Sequence, residues 1–261
     1  MASYKEFHKR SIEDRDGFWG EQAQLIHWNK QPAQIYDFSN PPFVKWFVGG
    51  ETNLCYNAVD RHAETHPDRK ALVYISTETD EEKTYSFSEL RAEVMRMAAI
   101  YQSLGVKKGD RVLIYMPMIA EACFAMLACA RIGAIHSVVF GGFASHSLAT
   151  RIDDAKPTVI VSADAGMRGG RPVPYKHLLD EAISLAEHKP AKVLMVNRNL
   201  DPNMAVVAGR DVDYAALREK HLNAQVPVTW MESSEPSYIL YTSGTTGKPK
   251  GVQRDTGGYA V

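Results

Sequence analysis

The sequence predicts an α/β fold, with largely parallel sheets and helices on both faces. Between residues 111 and 196, apolar runs of about four to seven residues alternate with helix-like segments, the pattern of successive βαβ units. Runs that are apolar throughout indicate strands buried on both faces of a parallel sheet. The 261 residues, 45% hydrophobic and 23% charged, are typical of a globular chain with one large or two small domains.

The first 52 residues form an arm that is rich in large aromatic side chains such as Trp28. Because rings of this size rarely lie free in water, we expect an irregular segment that packs onto the rest of the chain. The pattern changes at Asn53, which can cap a helix that runs to about His66. The predicted domains are therefore the arm, residues 1–52, and the α/β body, residues 53–261.

A pair of short strands and a helix are predicted next. The charged segment Glu78–Lys83 is expected to turn between the strands, and Ser86 and Glu89 have capping-box spacing before a helix that ends near Gly105. The predicted strands are Ala71–Ser76 and a second one that includes Tyr85 and Phe87.

Regular alternation of strands and helices follows. The apolar stretch 122–144 is interrupted by Arg131, Gly133 and His136, whereas a membrane span needs about 20 uninterrupted apolar residues, so a buried helix and a buried strand are predicted there. The predicted strands are Arg111–Tyr115, Ala134–Phe140, Thr158–Ser162 and Lys192–Val196, and the predicted helices are Ala120–Ile132, His146–Asp153 and Tyr175–His188.

Composition argues against several classes of partner. Thirty Lys and Arg against 31 Asp and Glu give a net charge of −1 without runs of like charge, so neither nucleic acid nor an anionic membrane is expected to bind. Three cysteines match no zinc-ligand spacing and indicate reduced thiols in a cytoplasmic protein. His62 and His66 stand in HxExH order rather than the HExxH of zinc enzymes, so no metal site is predicted.

The apolar strand Ser237–Tyr241 runs directly into a loop rich in glycine, hydroxyl groups and lysine. Ligands of open α/β sheets bind beyond the carboxyl ends of strands, and such a loop can offer N–H groups, hydroxyls and positive charge to the phosphates of ATP. It is not a Walker A loop, because Pro249 follows Lys248 where that motif enters a helix. A flexible surface turn is the alternative interpretation. The candidate phosphate-binding residues are Thr242, Ser243, Gly244, Thr245, Thr246, Gly247, Lys248, Lys250 and Gly251.

A second candidate anion site is the segment Arg168-Gly169-Gly170-Arg171. Two guanidinium groups hinged by two glycines could bind one polyanion from both sides. The alternative is a solvated loop whose arginines face water. Gly142 lies just past the predicted strand Ala134–Phe140, in the position of a plain strand-to-helix turn.

The string YTSGTTGKPKG, residues 241–251, resembles the signature loop of the AMP-forming acyl-adenylate superfamily. FWGEQAQLIHW, PPFVKWFVGGETNLCYNAVDRH and SADAGMRGGRPVPYK resemble the short-chain acyl-CoA synthetases within it, and the resemblance extends over essentially the whole chain. It implies an aromatic arm typical of those enzymes, followed by the amino-terminal part of their large domain. It also implies that the catalytic residues lie beyond Val261, so that the carboxy-terminal part of the protein completes the enzyme.

The resemblance implies a two-step reaction, in which ATP and a short-chain acid give an acyl-adenylate and CoA then displaces AMP. Propionate is the favoured acid, and acetate or another short-chain acid is the alternative. The implied substrates are ATP with Mg²⁺ and CoA, with no resident metal or prosthetic group. By the resemblance, the loop Thr242–Gly251 holds the β- and γ-phosphates, Arg168–Arg171 contacts the phosphates of CoA, and Gly142 lets its pantetheine chain pass close to the backbone.

Two further hypotheses belong to other functional classes. In one, the chain alone is inactive and only binds nucleotide or CoA, since the catalytic residues implied by the resemblance are outside it. A general NTPase is disfavoured because the loop lacks the Walker A pattern.

Overall fold

The structure, a computed structural model, describes residues 3–77, 79–242 and 249–261. Its strands are β1 (Gln34–Asn40), β2 (Phe43–Val48), β3 (Glu51–Thr52), β4 (Lys70–Ser76), β5 (Glu81–Ser86), β6 (Arg111–Tyr115), β7 (Ile135–Val138), β8 (Val159–Ala163), β9 (Gly166–Arg168), β10 (Arg171–Val173), β11 (Lys192–Val196), β12 (Asp211–Asp213), β13 (Met231–Glu232), β14 (Pro236–Thr242) and β15 (Lys250–Asp255). Its helices are α1 (Tyr4–Glu13), α2 (Arg15–Ala23), α3 (Arg61–Thr65, which continues a π-helical turn over Tyr56–Asp60), α4 (Phe87–Ser103), α5 (Ala120–Ile132), α6 (Ser145–Ala155), α7 (Tyr175–Leu185), α8 (Tyr214–Lys220) and α9 (Thr256–Ala260).

A central seven-stranded sheet has the order β12-β11-β8-β6-β7-β14-β15, and all its strands are parallel except β15 at one edge. The chain places β7 on one side of β6 and β8 on the other, so the direction of sheet growth reverses between β6 and β8. At such a reversal a crevice opens beyond the carboxyl ends of the strands. The topology therefore puts the candidate ligand-binding loops together beyond the carboxyl ends of the parallel strands.

Helices cover both faces of the central sheet, which confirms the predicted fold class. Val112 and Ile114 of β6 lie in one core with α4 and α5, whereas Leu113 and Tyr115 lie in a second core with α6 and α7. This alternation along one strand requires a sheet buried on both sides. Within the described parts of the chain, no helix combines the length and apolar character needed to cross a bilayer.

Local sequence signals set several helix ends. The Ser86 hydroxyl accepts a hydrogen bond from the Glu89 N–H and the Glu89 carboxylate accepts one from the Ser86 N–H, so α4 begins at Phe87. The prediction that Phe87 belongs to a strand was wrong for this reason, and β5 begins at Glu81, inside the expected turn. Helix α5 ends at Gly133, whose φ of +70° suits glycine.

The arm packs against the body, but the expectation of an irregular segment was wrong. It contains α1, α2 and the hairpin β1–β2, whose aromatic side chains pack on one another around the buried Trp28 and Phe47. The His27 N–H donates to the Asn57 side-chain oxygen at 2.7 Å, and the Arg61 guanidinium donates to the Leu25 carbonyl at 3.1 Å, so both bonds join the arm to the body. The boundary between residues 52 and 53 stays a prediction.

Candidate functional site

The first part of the candidate site is the glycine loop, defined here as residues 140–143, which joins β7 to α6. The ring of Tyr175 lies against Gly141 so closely that a Cβ there would fall 1.9 Å from the Tyr175 hydroxyl oxygen. The Tyr115 hydroxyl donates to the Phe143 carbonyl at 3.2 Å. Burial raises the pKa of Tyr115 to about 12, so this phenol stays protonated at neutral pH and holds the loop as a donor.

Gly142, the predicted site residue, faces solvent within this loop. A Cβ on Gly142 would fall 2.3 Å from the ring of Phe140, which is itself 65% exposed and free to turn away. The packing requirement for glycine is therefore at position 141, and sequence reasoning missed it because the constraint comes from Tyr175, more than 30 residues along the chain.

The second part is the arginine hairpin, residues 166–173, which follows β8. Arg168 and Arg171 are paired directly opposite each other across β9 and β10, and both are exposed. Gly169 and Gly170 form the turn with φ of +56° and +74°, the left-handed conformations that a tight two-residue hairpin turn requires. The predicted hinge is thus a hairpin that presents both guanidinium groups on one face.

The charges at the tip of the arginine hairpin are uncompensated. Among the residues that the structure describes, no carboxylate lies within 4.0 Å of Arg168 or Arg171. Like charges directly opposite each other in a hairpin repel and destabilise it. A bound polyanion would remove that repulsion, so the geometry favours a phosphate-binding tip.

A buried carboxylate fixes the base of the arginine hairpin. Asp164 is fully buried and accepts N–H bonds from Arg198, Leu200 and Asp201 at 2.9, 2.7 and 3.1 Å. The Arg198 guanidinium donates to the Ala165 carbonyl at 3.2 Å, so a third arginine lies beside the hairpin. Sequence reasoning missed Arg198, although its place just after a buried strand was the signal that could have found it.

Tyr175 connects the first two parts of the site. Its ring contacts the glycine loop at Gly141, and a Cβ on Gly166 at the hairpin base would lie 3.1 Å from the same ring. Burial raises the pKa of Tyr175, and the positive charges of Arg198 and Arg168 oppose that shift. The structure therefore brings the glycine loop, which contains Gly142, next to the segment that contains the paired arginines.

The third part lies at the end of β14. Residues 243–248, which include Ser243, Gly244, Thr245, Thr246, Gly247 and Lys248, are outside the described residues. Thr242 ends β14 and pairs with Lys250, the first residue of β15. Lys250 and Gly251 were predicted in the loop and belong instead to this strand, because β15 pairs with β14 along its whole length.

Gly251 has a packing role at the start of β15. A Cβ there would lie 3.2 Å from the ring of Tyr241 and from the carboxylate of Asp154, so glycine leaves room for both. Thr242 and Lys250 are exposed beside it and flank the loop at the carboxyl end of β14. In the described parts of the chain, no three His, Cys, Asp or Glu side chains are grouped to hold a metal ion.

Two family models together match nearly the whole chain. Residues 4–58 match the family model described as acetyl-coenzyme A synthetase N-terminus, and residues 59–261 match the model described as AMP-binding enzyme. The chain is 62% identical to the propionate–CoA ligase of Escherichia coli (strain K12) over 99% of its own length and 41% of that protein. It is 49% identical to the mitochondrial acyl-CoA synthetase short-chain family member 3 of Rattus norvegicus over 100% of its own length and 38% of that protein.

A solved structure resembles the fold as well. Acetoacetyl-CoA synthetase from Streptomyces lividans superposes with a TM-score of 0.87 at 28% identity, over 99% of this chain and 39% of that one. The chain thus spans about two fifths of the length of the relatives that it matches.

Proposed function

Because this chain belongs to the AMP-binding enzyme family, we propose that it is the matched part of an AMP-forming propionate–CoA ligase. The 62% identity to the Escherichia coli propionate–CoA ligase supports propionate as the acid. Acetate or another short-chain acid is the alternative substrate, since the arm matches the acetyl-coenzyme A synthetase model. A cytoplasmic location stays a prediction, since several relatives, the Rattus norvegicus protein among them, are named as mitochondrial.

One geometric observation carries the CoA-binding part of the proposal: Arg168 and Arg171 lie directly opposite each other, and neither has a carboxylate within 4.0 Å among the described residues. CoA bears several phosphate groups, and guanidinium groups bind phosphates with paired hydrogen bonds. The backbone at Gly142 is exposed in the glycine loop next to this hairpin, and a chain could pass close to it once the exposed ring of Phe140 turns away. Arg198 adds a further positive charge at the hairpin base.

In the first half-reaction, a carboxylate oxygen of the acid attacks the α-phosphorus of ATP and the bond to the β-phosphate breaks, releasing pyrophosphate. Lys250 and the loop from Thr242 would stabilise the charge of the leaving pyrophosphate. Mg²⁺ enters with ATP as part of that substrate. In the second half-reaction the CoA sulfur attacks the acyl carbon, and the bond to AMP breaks.

The intact enzyme is expected to exchange pyrophosphate into ATP only when propionate is present. Measuring the exchange with propionate, acetate and no acid tests both the reaction class and the substrate. Exchange without any acid, or none with either acid, would contradict the proposal. Steady formation of ADP would instead favour a general NTPase.

Replacing Lys250 with alanine should slow adenylation far more than thioester formation, because pyrophosphate has left before CoA attacks. The test measures each half-reaction by itself, with Lys70→Ala on the exposed start of β4 as the matched control. Equal slowing of both half-reactions would show that Lys250 does not act on pyrophosphate.

Arg168→Ala should raise the KM for CoA by about 10- to 150-fold while the KM for ATP stays near its original value, since a charge-assisted hydrogen bond contributes about 1.5–3 kcal/mol. Arg171→Ala should act in the same direction, and Arg69→Met at an exposed position serves as the control. An unchanged KM for CoA in both hairpin variants would remove the hairpin from the site.

The chain of 261 residues by itself is expected to bind CoA weakly and to form no thioester. The observation behind this second candidate is that the described residues supply anion-binding positions but span only 41% of the Escherichia coli relative. Calorimetry with CoA and a thioester assay on the isolated chain test it. Thioester formation would refute it.

A further inference from the structure

Helix α6 lies between the glycine loop and β14, the strand that leads into residues 243–248, named here the phosphate loop after their predicted role. One of its side chains contacts both. The guanidinium carbon of Arg151 lies 4.2 Å from the ring centre of Phe143, at the end of the glycine loop, and 5.3 Å from the ring centre of Tyr241, one residue before the end of β14. A single planar cation therefore contacts an aromatic ring from each of the two parts of the site.

A second residue of α6 anchors Tyr241 from another direction. The Tyr241 hydroxyl donates to the Asp154 carboxylate at 2.6 Å, and burial together with that carboxylate raises the pKa of Tyr241, so the hydroxyl keeps its proton. Arg151 and Asp154 are three residues apart and lie on one face of the helix. The ring face and the hydroxyl of Tyr241 are thus both held by α6, and Gly251 leaves room for the ring.

The backbone of Phe143 is held by a hydrogen bond from β6. Its carbonyl accepts the hydrogen bond from the Tyr115 hydroxyl at the end of β6, and its ring packs edge-on against Phe140. A shift of Arg151 would therefore move Phe143 and with it the backbone of the glycine loop.

Packing alone does not explain why a positively charged side chain stands at position 151. The residue is only 7% exposed, its guanidinium donates to the Ser147 carbonyl at 2.7 Å, and no carboxylate among the described residues lies within 4.0 Å of it. Burying an unpaired charge costs free energy, which an apolar side chain of similar volume would avoid. The two aromatic faces offset part of that cost.

We infer that Arg151 is a positioning residue that fixes the strand entering the phosphate loop relative to the glycine loop, and so acts on both half-reactions. The inference rests on the proposed function. It differs from the roles proposed for Lys250 and Arg168, each of which concerns one substrate and one half-reaction. Arg151 itself need touch neither substrate.

The test compares Arg151→Met and Arg151→Lys in the intact enzyme, with Arg69→Met as the same chemical change at an exposed arginine. Adenylation is measured by pyrophosphate exchange, and thioester formation by adding CoA to preformed acyl-adenylate. Loss of a desolvated cation–π contact predicts that Arg151→Met slows each half-reaction about five- to thirtyfold, with the KM values for ATP and CoA changing less than about twofold. Arg151→Lys should recover part of both rates, since an ammonium keeps the charge but cannot stack between two rings.

Two outcomes would overturn the inference. In the first, the midpoint of thermal unfolding falls while both rates of the folded variant stay within about twofold of the original. In the second, only one half-reaction slows, which would make the contact local to one loop. If Arg151→Met does not fold, Arg151→Lys decides alone, because unchanged rates in both half-reactions would refute a coupling that depends on the stacked guanidinium.

An inactive wild-type enzyme would refute the proposed function, and the contact can still be tested separately. In a double-mutant cycle, the unfolding free energies of Arg151→Met, Tyr241→Leu and the double variant are measured. Non-additive effects support the link through Arg151, and additive effects overturn it.

Discussion

Gly141→Ala is expected to lower stability and Gly142→Ala to weaken CoA use with little loss of stability, although the two residues are adjacent. A Cβ at position 141 would lie 1.9 Å from the Tyr175 hydroxyl oxygen and 2.4 Å from the ring carbon that bears it. Ordinary contact is about 3.5 Å, so the ring must withdraw by about 1.5 Å. Tyr175 is only 9% exposed and its ring lies 5.0 Å from that of Tyr115, which leaves little room for the shift.

Overpacking of this kind costs about 1–3 kcal/mol, so we expect Gly141→Ala to lower the free energy of unfolding by that amount. At Gly142 the obstructing ring is the exposed Phe140, so the alanine variant should lose less than about 0.5 kcal/mol. If Gly142 lies along the path of CoA, the same variant should nevertheless raise the KM for CoA.

Urea unfolding of both variants, with CoA kinetics of the intact enzyme, measures these two effects separately. A Gly141→Ala protein as stable as the original would show that Tyr175 is not held where the structure has it. An unchanged KM for CoA in Gly142→Ala would remove Gly142 from the CoA path.

Two further predictions concern stability. Asp60→Ala leaves the guanidinium of Arg131 buried without the carboxylate that lies 2.8 Å from it, so the free energy of unfolding should fall by about 3–5 kcal/mol. Urea unfolding measures this loss. A loss below about 1 kcal/mol would contradict the reasoning. Burial lowers the pKa of His136 from 6.5 to about 4, so the unfolded chain binds a proton that the folded chain does not, and stability should fall as the pH drops from about 6.5 to about 4. His136→Phe should flatten that part of the pH profile of unfolding, and an unaltered profile would show that another group is responsible.

The elements of the central sheet could be predicted closely because their signals are local. Strands β6 and β11 and helix α5 have the bounds expected from the sequence. Each is an apolar run, and for α5 the residue after the run, Gly133, is a helix-ending residue. The hairpin β9–β10 and strand β15 carry charged residues and lack apolar runs. Their strand conformation comes from pairing with a neighbour, which a single sequence does not display.

The residues of the candidate site also divide into those with a local sequence signal and those whose role depends on the folded structure. Arg168 and Arg171 could be found because two arginines around two glycines form a local pattern, and the structure adds that they are directly opposed. Tyr175 and Arg151 are ordinary residues of amphipathic helices in the sequence. Their importance depends on which loops the helices touch after folding, and therefore on the order of strands in the sheet.

The opposed guanidinium groups at the hairpin tip have a practical consequence for anyone who studies this protein. A pair of cations without a carboxylate close by in the described part of the chain attracts small oxyanions from the medium. Sulfate or phosphate buffers should therefore occupy the tip, compete with a phosphorylated substrate and make the hairpin more rigid. Weak apparent affinity in such buffers would reflect competition, and chloride salts at low ionic strength are the appropriate reference medium.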